Sequence, residues 1–122
     1  MNGNKSVIDT NGIIYYIQGK ECIKPYVSNY FIVSVITEIE SLSFSELTEE
    51  DEKLTKTFIR QSKKLYITDD IKDETIRLRR KYNIKTPDAI IAATAIVNDV
   101  PLITADKGFK KIEELDLILL NP

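Results

Sequence analysis

Ser6-Val7-Ile8-Asp9-Thr10-Asn11, continuing as Gly12-Ile13-Ile14-Tyr15-Tyr16-Ile17, decides the fold. A short apolar run ends in an acid. A polar turn then opens a segment, residues 10–18, with Ile13, Ile14 and Ile17 at helical spacing. The stretch reads as a strand over residues 5–8, a carboxylate at its carboxyl end, and a helix. In open α/β folds, sites form just outside the carboxyl ends of parallel strands, so Asp9 is the first functional suspect. Asp9 also suits the cap of the helix it precedes, and the stretch alone does not separate the two roles.

Outward from there the pattern repeats. Glu21 to Ser28 reads as a short helix with Pro25 near its first turn. Tyr30-Phe31-Ile32-Val33 reads as a second strand. Ser34 then caps a helix to about Phe44, with Val35, Ile36, Ile39 and Leu42 as its apolar stripe. Thr48 opens a helix with acids in its first turn, Leu54, Phe58 and Ile59 inward, and Lys63-Lys64 at its basic end. Leu65-Tyr66-Ile67 is the third strand. Asp70 begins a helix to about Tyr82, with Ile71, Thr75, Ile76 and Leu78 on its inner side and Asn83 as its stop. Thr86-Pro87-Asp88 is a helix start, and Ala89 to Val97 is apolar almost all round, which predicts a buried helix. Leu102-Ile103-Thr104 is the fourth strand. Ala105 to Phe109 turns into a short helical piece, and Leu117 to Leu120 is a last edge strand. Short strands alternating with helices mean βαβ units: an α/β fold on a parallel sheet, in one domain over residues 1–122.

Composition restricts the chemistry. The chain has no His and one Cys, Cys22. A Ser-His-Asp triad, a Cys-His pair, an internal disulfide and the usual zinc sites are therefore excluded. Carboxylate chemistry remains, with or without a hard cation such as Mg²⁺ or Mn²⁺. The net charge is −2, so the chain lacks the basic balance of proteins that hold nucleic acid on a broad cationic face. No apolar run approaches the ~18 residues of a membrane span. The opening residues hold no apolar signal region, so a cytoplasmic protein without membrane contact is expected.

Four acids fall where such a fold gathers strand ends. Asp9 closes the first strand, Glu40 or Glu38 lies in the helix after the second, Asp88 sits in the first turn of the buried helix, and Asp106 follows the fourth strand. Each has a bland alternative as a cap, turn or solvated residue. Their conjunction is the signal: carboxylates sharing a cleft repel one another, and a divalent cation relieves that cost. Glu38 and Glu40 lie about 200° apart on a helix, and both flank the apolar stripe, so periodicity does not choose between them.

Four stretches together resemble the PIN domain, and most closely the VapC-type toxins of toxin–antitoxin pairs. Val7-Ile8-Asp9-Thr10-Asn11 resembles the family's opening hydrophobic-Asp-Thr-Asn. Ser34-Val35-Ile36-Thr37-Glu38-Ile39-Glu40 resembles its Ser-x-x-Thr-x-x-Glu, which places the family glutamate on Glu40. Pro87-Asp88-Ala89-Ile90-Ile91-Ala92-Ala93-Thr94-Ala95 resembles its Asp-hydrophobic-Ile-Ala-Ala-x-Ala helix. Leu102-Ile103-Thr104-Ala105-Asp106-Lys107-Gly108-Phe109 resembles its Thr-x-Asp/Asn…Phe ending, although Gly108 stands where some relatives carry a further acid. The dense basic surface of some relatives is also missing.

The resemblance implies a three-layer α/β sandwich, a parallel sheet of four to five strands with helices on both faces. It implies a metal-dependent endoribonuclease whose Mg²⁺ or Mn²⁺ is held by Asp9, Glu40, Asp88 and Asp106. A cognate antitoxin covering the acid cleft and a homodimer are implied as well. Thr10, Asn11, Ser34 and Thr104 are candidate supporting hydrogen-bond groups. Arg79, Arg80, Lys81, Lys85 and Lys107 are candidate contacts to RNA phosphates. Two rivals stand beside this reading. In a phosphatase-like α/β hydrolase Asp9 would be the nucleophile, but Asn11 occupies the place of the second acid in Asp-x-Asp-x-Thr. In a non-catalytic α/β interaction module the acids would be caps.

Overall fold

The computed structural model describes residues 4–122. The strands are β1 (Lys5–Ile8), β2 (Tyr30–Ser34), β3 (Lys63–Leu65), β4 (Leu102–Thr104) and β5 (Leu117–Leu119). The helices are α1 (Thr10–Gln18), α2 (Val35–Leu42), α3 (Glu49–Gln61), α4 (Asp69–Lys81) and α5 (Thr86–Val97), with two 3₁₀ segments at Glu21–Tyr26 and Lys107–Lys111. The strands form one sheet in the order β3-β2-β1-β4-β5, and every pairing is parallel. The expected α/β sandwich is therefore present, at the upper end of the expected strand count.

Strand pleating explains the layers. Successive side chains point to opposite faces. Val7, Ile32 and Leu102 are register partners on one face and pack with Ile71, Leu78, Ile90, Ile91, Ala92, Ala93 and Ala95. Ile8, Phe31, Val33 and Ile103 point the other way, to Ile13, Ile23, Phe58 and Ile59. Each fully buried large apolar side chain contributes about 1.5–3 kcal/mol. Ala89, Ala92, Ala93 and Ala95 are fully buried, so α5 is an inner helix, as its sequence predicts. The crossovers leave β1 in the centre, with its carboxyl end between those of β2 and β4. That placement puts Asp9 in the middle of the sheet edge where sites form.

Two glycines carry backbone demands. Gly19 closes α1 in the left-handed region at φ 66°. Gly12 lies against β1: a Cβ there would stand 2.5 Å from Ile8 Cγ1.

Several boundaries and faces differ from expectation. The segment after α1 is a 3₁₀ turn, with Pro25 near its end rather than in its first turn. Helix α2 stops at Leu42. It buries Thr37 and Ser41, while Ile39, expected in the inner stripe, is 54% exposed. Helix α3 ends at Gln61, and Lys63-Lys64 belong to β3, leaving Tyr66 and Ile67 exposed. Leu54 and Ile76 are likewise exposed; Thr55 is buried instead, and Thr75 is buried as expected. The physical reason is size and self-satisfaction. A threonine is compact, and Thr75 Oγ1 donates to Ile71 O at 2.7 Å, so its hydroxyl enters the interior already paired. Lysines on β3 suit an edge strand, where charge discourages further pairing. Lys85, not Thr86, stands at the cap position of α5, and its side chain makes no capping bond.

Candidate functional site

Asp9 leaves β1 with its backbone N–H donating to Ile103 O at 3.3 Å. Its side chain caps α1, accepting from Gly12 N–H at 3.0 Å through Oδ1. Its other oxygen, Oδ2, accepts from the Thr104 hydroxyl at the end of β4. Asp9 is 6% exposed. Burial raises its pKa, the bonds from Thr104 and Gly12 oppose that rise, and the charges of Asp106 and Asp88 add to it. The cap role and the cluster role therefore coincide in one residue.

Thr104 links two acids. While its hydroxyl donates to Asp9, its oxygen accepts from the Asp106 backbone N–H at 3.0 Å. Asp106 Oδ1 in turn accepts from Gly108 N–H at 2.8 Å, opening the second 3₁₀ segment. A Cβ on Gly108 would lie 3.0 Å from that same oxygen, which explains how a glycine here seats Asp106. Asp88, in the first turn of α5, is half-buried. Burial and then the Asp106 charge raise its pKa, while Lys85 and Lys111 lower it.

Glu40, on α2, is partly buried, and its pKa is raised by burial, then by Asp88 and Asp9. Glu38 points elsewhere, pairing with Lys64 Nζ of β3 at 3.2 Å. Geometry thus separates the two glutamates that periodicity left equivalent. At the carboxyl edge of the sheet Asp9 feels the charges of Asp106 and Asp88, Glu40 those of Asp88 and Asp9, and Asp88 that of Asp106. Their donor set is all carboxylate oxygen, which fits a hard cation such as Mg²⁺ or Mn²⁺, and their mutual repulsion is what such a cation relieves. Among the described residues, no three acidic or sulfur side chains close around one point as they stand.

The supporting candidates separate clearly. Ser34 is buried and caps α2, accepting from Ile36 N–H at 3.2 Å. Thr10 carries a buried hydroxyl with no partner, as does Thr37 one turn before Glu40. Asn11 is exposed. Of the basic candidates, Arg79 donates to Ile84 O at 3.2 Å, and Lys81 lies 3.4 Å from Glu114 and over the Tyr82 ring. Arg80 and Lys107 are exposed on the surface, and Lys85 acts on Asp88. Sequence reasoning missed Lys111, whose Nζ donates to Asn83 O at 2.9 Å beside Asp88. No local motif marks it, because only the fold brings residues 83, 88 and 111 together. An apolar cavity of about 330 Å³ between α1, α2 and α3 is lined by none of the four acids.

Solved structures with this fold include a chain of a toxin–antitoxin complex from Klebsiella pneumoniae, 28% identical with a TM-score of 0.77, covering 93% of this chain and 95% of that one. A chain of VapBC2 from Rickettsia felis bound to promoter DNA is 21% identical with a TM-score of 0.76, covering 96% and 99%. A chain of DNA-bound VapBC from Salmonella typhimurium is 21% identical with a TM-score of 0.77, covering 93% and 96%. No curated protein sequence matches the chain. The PIN domain model matches residues 6–115, the span that carries all four acids, and the chain therefore belongs to the PIN domain family.

Proposed function

We propose that this PIN domain is the toxin of a toxin–antitoxin pair, a divalent-cation-dependent endoribonuclease that hydrolyses phosphodiester bonds in RNA. The observation that carries the proposal is a buried strand-end carboxylate, Asp9, joined through the Thr104 hydroxyl to Asp106 on the neighbouring strand's end, with Asp88 and Glu40 near enough for their charges to be felt. Capping needs no such convergence, so an interaction module with incidental acids leaves it without a reason. The exposed amide of Asn11 offers no second acid for a phosphatase-like use of Asp9.

In this reading Asp9 and Asp106 hold Mg²⁺ or Mn²⁺, with Glu40 and Asp88 completing the site directly or through water. When bound, the cation lowers the pKa of a water and offsets charge on the phosphate and leaving oxygen. The Thr104 hydroxyl fixes Asp9 relative to Asp106, since one oxygen serves both. With no His in the chain, the proton of the attacking water passes to a carboxylate. Glu40 and Asp88, the two acids that complete the site, are the carboxylates placed to take it. We extend to this chain the antitoxin partner that the Klebsiella complex contains, seated over the acid cleft. A homodimer that covers exposed apolar residues such as Ile39 and Ile76 completes the proposal, as does a cytoplasmic location. Among the described residues, no helix is long and apolar enough to cross a membrane.

The test is cleavage of single-stranded RNA by purified protein with and without Mn²⁺. Asp9→Asn and Asp88→Asn are each expected to abolish cation-dependent cleavage with the fold intact. Activity that survives in either, or no thermal stabilisation by millimolar Mn²⁺, sinks the shared site.

A further inference from the structure

Beside Asp88 lies a small cavity of about 210 Å³, lined by Asn83, Ile84, Lys85, Gly108, Phe109 and Lys111 as well as Asp88 itself. Two of its walls are lysines from distant parts of the chain. Lys85 precedes α5, and Lys111 ends the 3₁₀ segment that Asp106 caps. Ile84 and the buried Phe109 contribute apolar surface. The Lys111 ammonium is tethered rather than free: Nζ donates to Asn83 O at 2.9 Å. An ammonium has three donors, so two remain after that bond. Lys85 and Lys111 are also the cations whose charge acts on the raised acids of the site, both through Asp88.

We propose that this cavity is a phosphate subsite, in which Lys85 and Lys111 hold the RNA phosphodiester adjoining the one that is cleaved. The inference rests on the ribonuclease reading above and adds to it the groups that seat the strand. The physical need is plain. A polyanion entering a cluster of four carboxylates is repelled, and the net charge of −2 supplies no broad attraction. Two lysines at the cluster's own margin offset that repulsion locally. Asp88 lines the cavity, so a phosphate seated there places the next phosphate of the strand at the acids. Lys111 is a positioning residue in this scheme: it tethers the loop between α4 and α5 and presents its remaining donors to the strand.

The experiment measures binding rather than turnover. The chain carrying Asp9→Asn is titrated into a fluorescent single-stranded oligoribonucleotide, by anisotropy, across a series of salt concentrations. Lys85→Gln and Lys111→Gln are each expected to weaken binding roughly three- to tenfold. Each is also expected to flatten the dependence of log K on log salt by about 0.7, the loss of one phosphate contact on a single strand. Lys111→Arg should restore the slope, and Lys110→Gln, an exposed neighbour outside the cavity, should leave it unchanged. An unchanged slope in both glutamine variants overturns the subsite. So does weaker binding at unchanged slope, which means that Lys111 only braces its loop. Cleavage by the otherwise wild-type chain in Mn²⁺ is measured alongside. Its absence refutes the ribonuclease reading, whereas slopes that fail while cleavage persists refute the subsite alone.

Discussion

Thr104→Val removes one oxygen and almost no volume, and it tests how the acid pair is built. The Thr104 hydroxyl is fully buried, donates to the Asp9 carboxylate and accepts from Asp106 N–H at 3.0 Å. A hydrogen bond to a charged group is worth about 1.5–3 kcal/mol and a neutral one about 0.5–1.5 kcal/mol. The added methyl returns about 0.8 kcal/mol. The net expectation is a loss of about 1–4 kcal/mol in metal-free protein at neutral pH. Urea denaturation in EDTA measures it, as a fall in midpoint with the slope m unchanged.

The loss also has a pH signature. Burial raises the Asp9 pKa above its ordinary 3.8, and the Thr104 bond holds the rise in check. Without that bond the folded-state pKa climbs further. A carboxyl raised on folding is fully tolerated below its unfolded value and costs stability as pH rises through its folded value. The variant's deficit should therefore be small below pH 3.8 and grow toward neutrality, by about 1.4 kcal/mol for each further unit of rise. A deficit that is equal at both ends of that range refutes the idea that Thr104 supports the charged form of Asp9. A deficit below about 0.5 kcal/mol at neutral pH removes the bond from the account altogether.

Four further outcomes follow from other contacts. Asp9→Asn keeps the oxygen that accepts from Gly12 N–H and removes a disfavoured buried charge, so the metal-free variant should unfold at higher temperature than wild type at neutral pH, with the gain vanishing in acid. Glu40→Gln should cripple cation-dependent RNA cleavage while Glu38→Gln, which loses only the Lys64 pair, should retain it; the opposite ranking in a turnover assay assigns the site to the wrong glutamate. Gly12→Ala forces a Cβ to 2.5 Å from Ile8 Cγ1 and should cost about 1–3 kcal/mol, read as a lowered urea midpoint; a change within about 0.5 kcal/mol means that α1 shifts freely against β1. Tyr82→Phe releases Glu114, whose pKa Tyr82 and then Arg77 hold down to about 2; the stability this supplies is present above the ordinary 4.5 and lost as pH falls toward 2, so the variant's deficit of about 0.5–1 kcal/mol should disappear across that interval.

What the sequence makes legible is what local physics controls. Strand β1, helix α1 and the β2–α2 junction sit where their apolar runs and capping residues put them, because Asp9 and Ser34 each satisfy orphan N–H groups of the helix they open. The faces of α2, α3 and α4 were less legible. Apolar periodicity nominates Ile39, Leu54 and Ile76, yet they are exposed and Thr37 and Thr55 are buried. An amphipathic threonine counts as polar in a periodicity reading and as small in a packing interface. The start of β3 was hidden for a related reason: Lys63 and Lys64 look like a basic helix end, and only pairing with Ile32 and Val33 makes them strand. The four acids could be named from motif and strand ends together, whereas their mutual influence, the Thr104 bridge and Lys111 are tertiary facts with separations that no window spans.

The acid cluster is a case where the fold keeps groups that do not favour it. Asp9, Glu40 and Asp88 all have raised pKa values, with burial as the first cause in each, so every one is less comfortable ionised in the folded chain than in water. A cap needs one oxygen, and a serine at position 9 would supply it without a buried charge, as Ser34 does for α2. Asp9 instead uses one oxygen for the cap and directs the other to Thr104 and the neighbouring acids. The Thr104 bond offsets only part of what burial costs that second oxygen, since the Asp9 pKa still lies above its ordinary value. In the proposed reading a bound cation offsets the rest. The same reasoning distinguishes Asp9 from the carboxylates of α3, which crowd a first helical turn in solvent, where the helix dipole suffices to explain them. Burial against an adverse charge, rather than the mere presence of acids, is what singles out the carboxyl end of β1 as the candidate site.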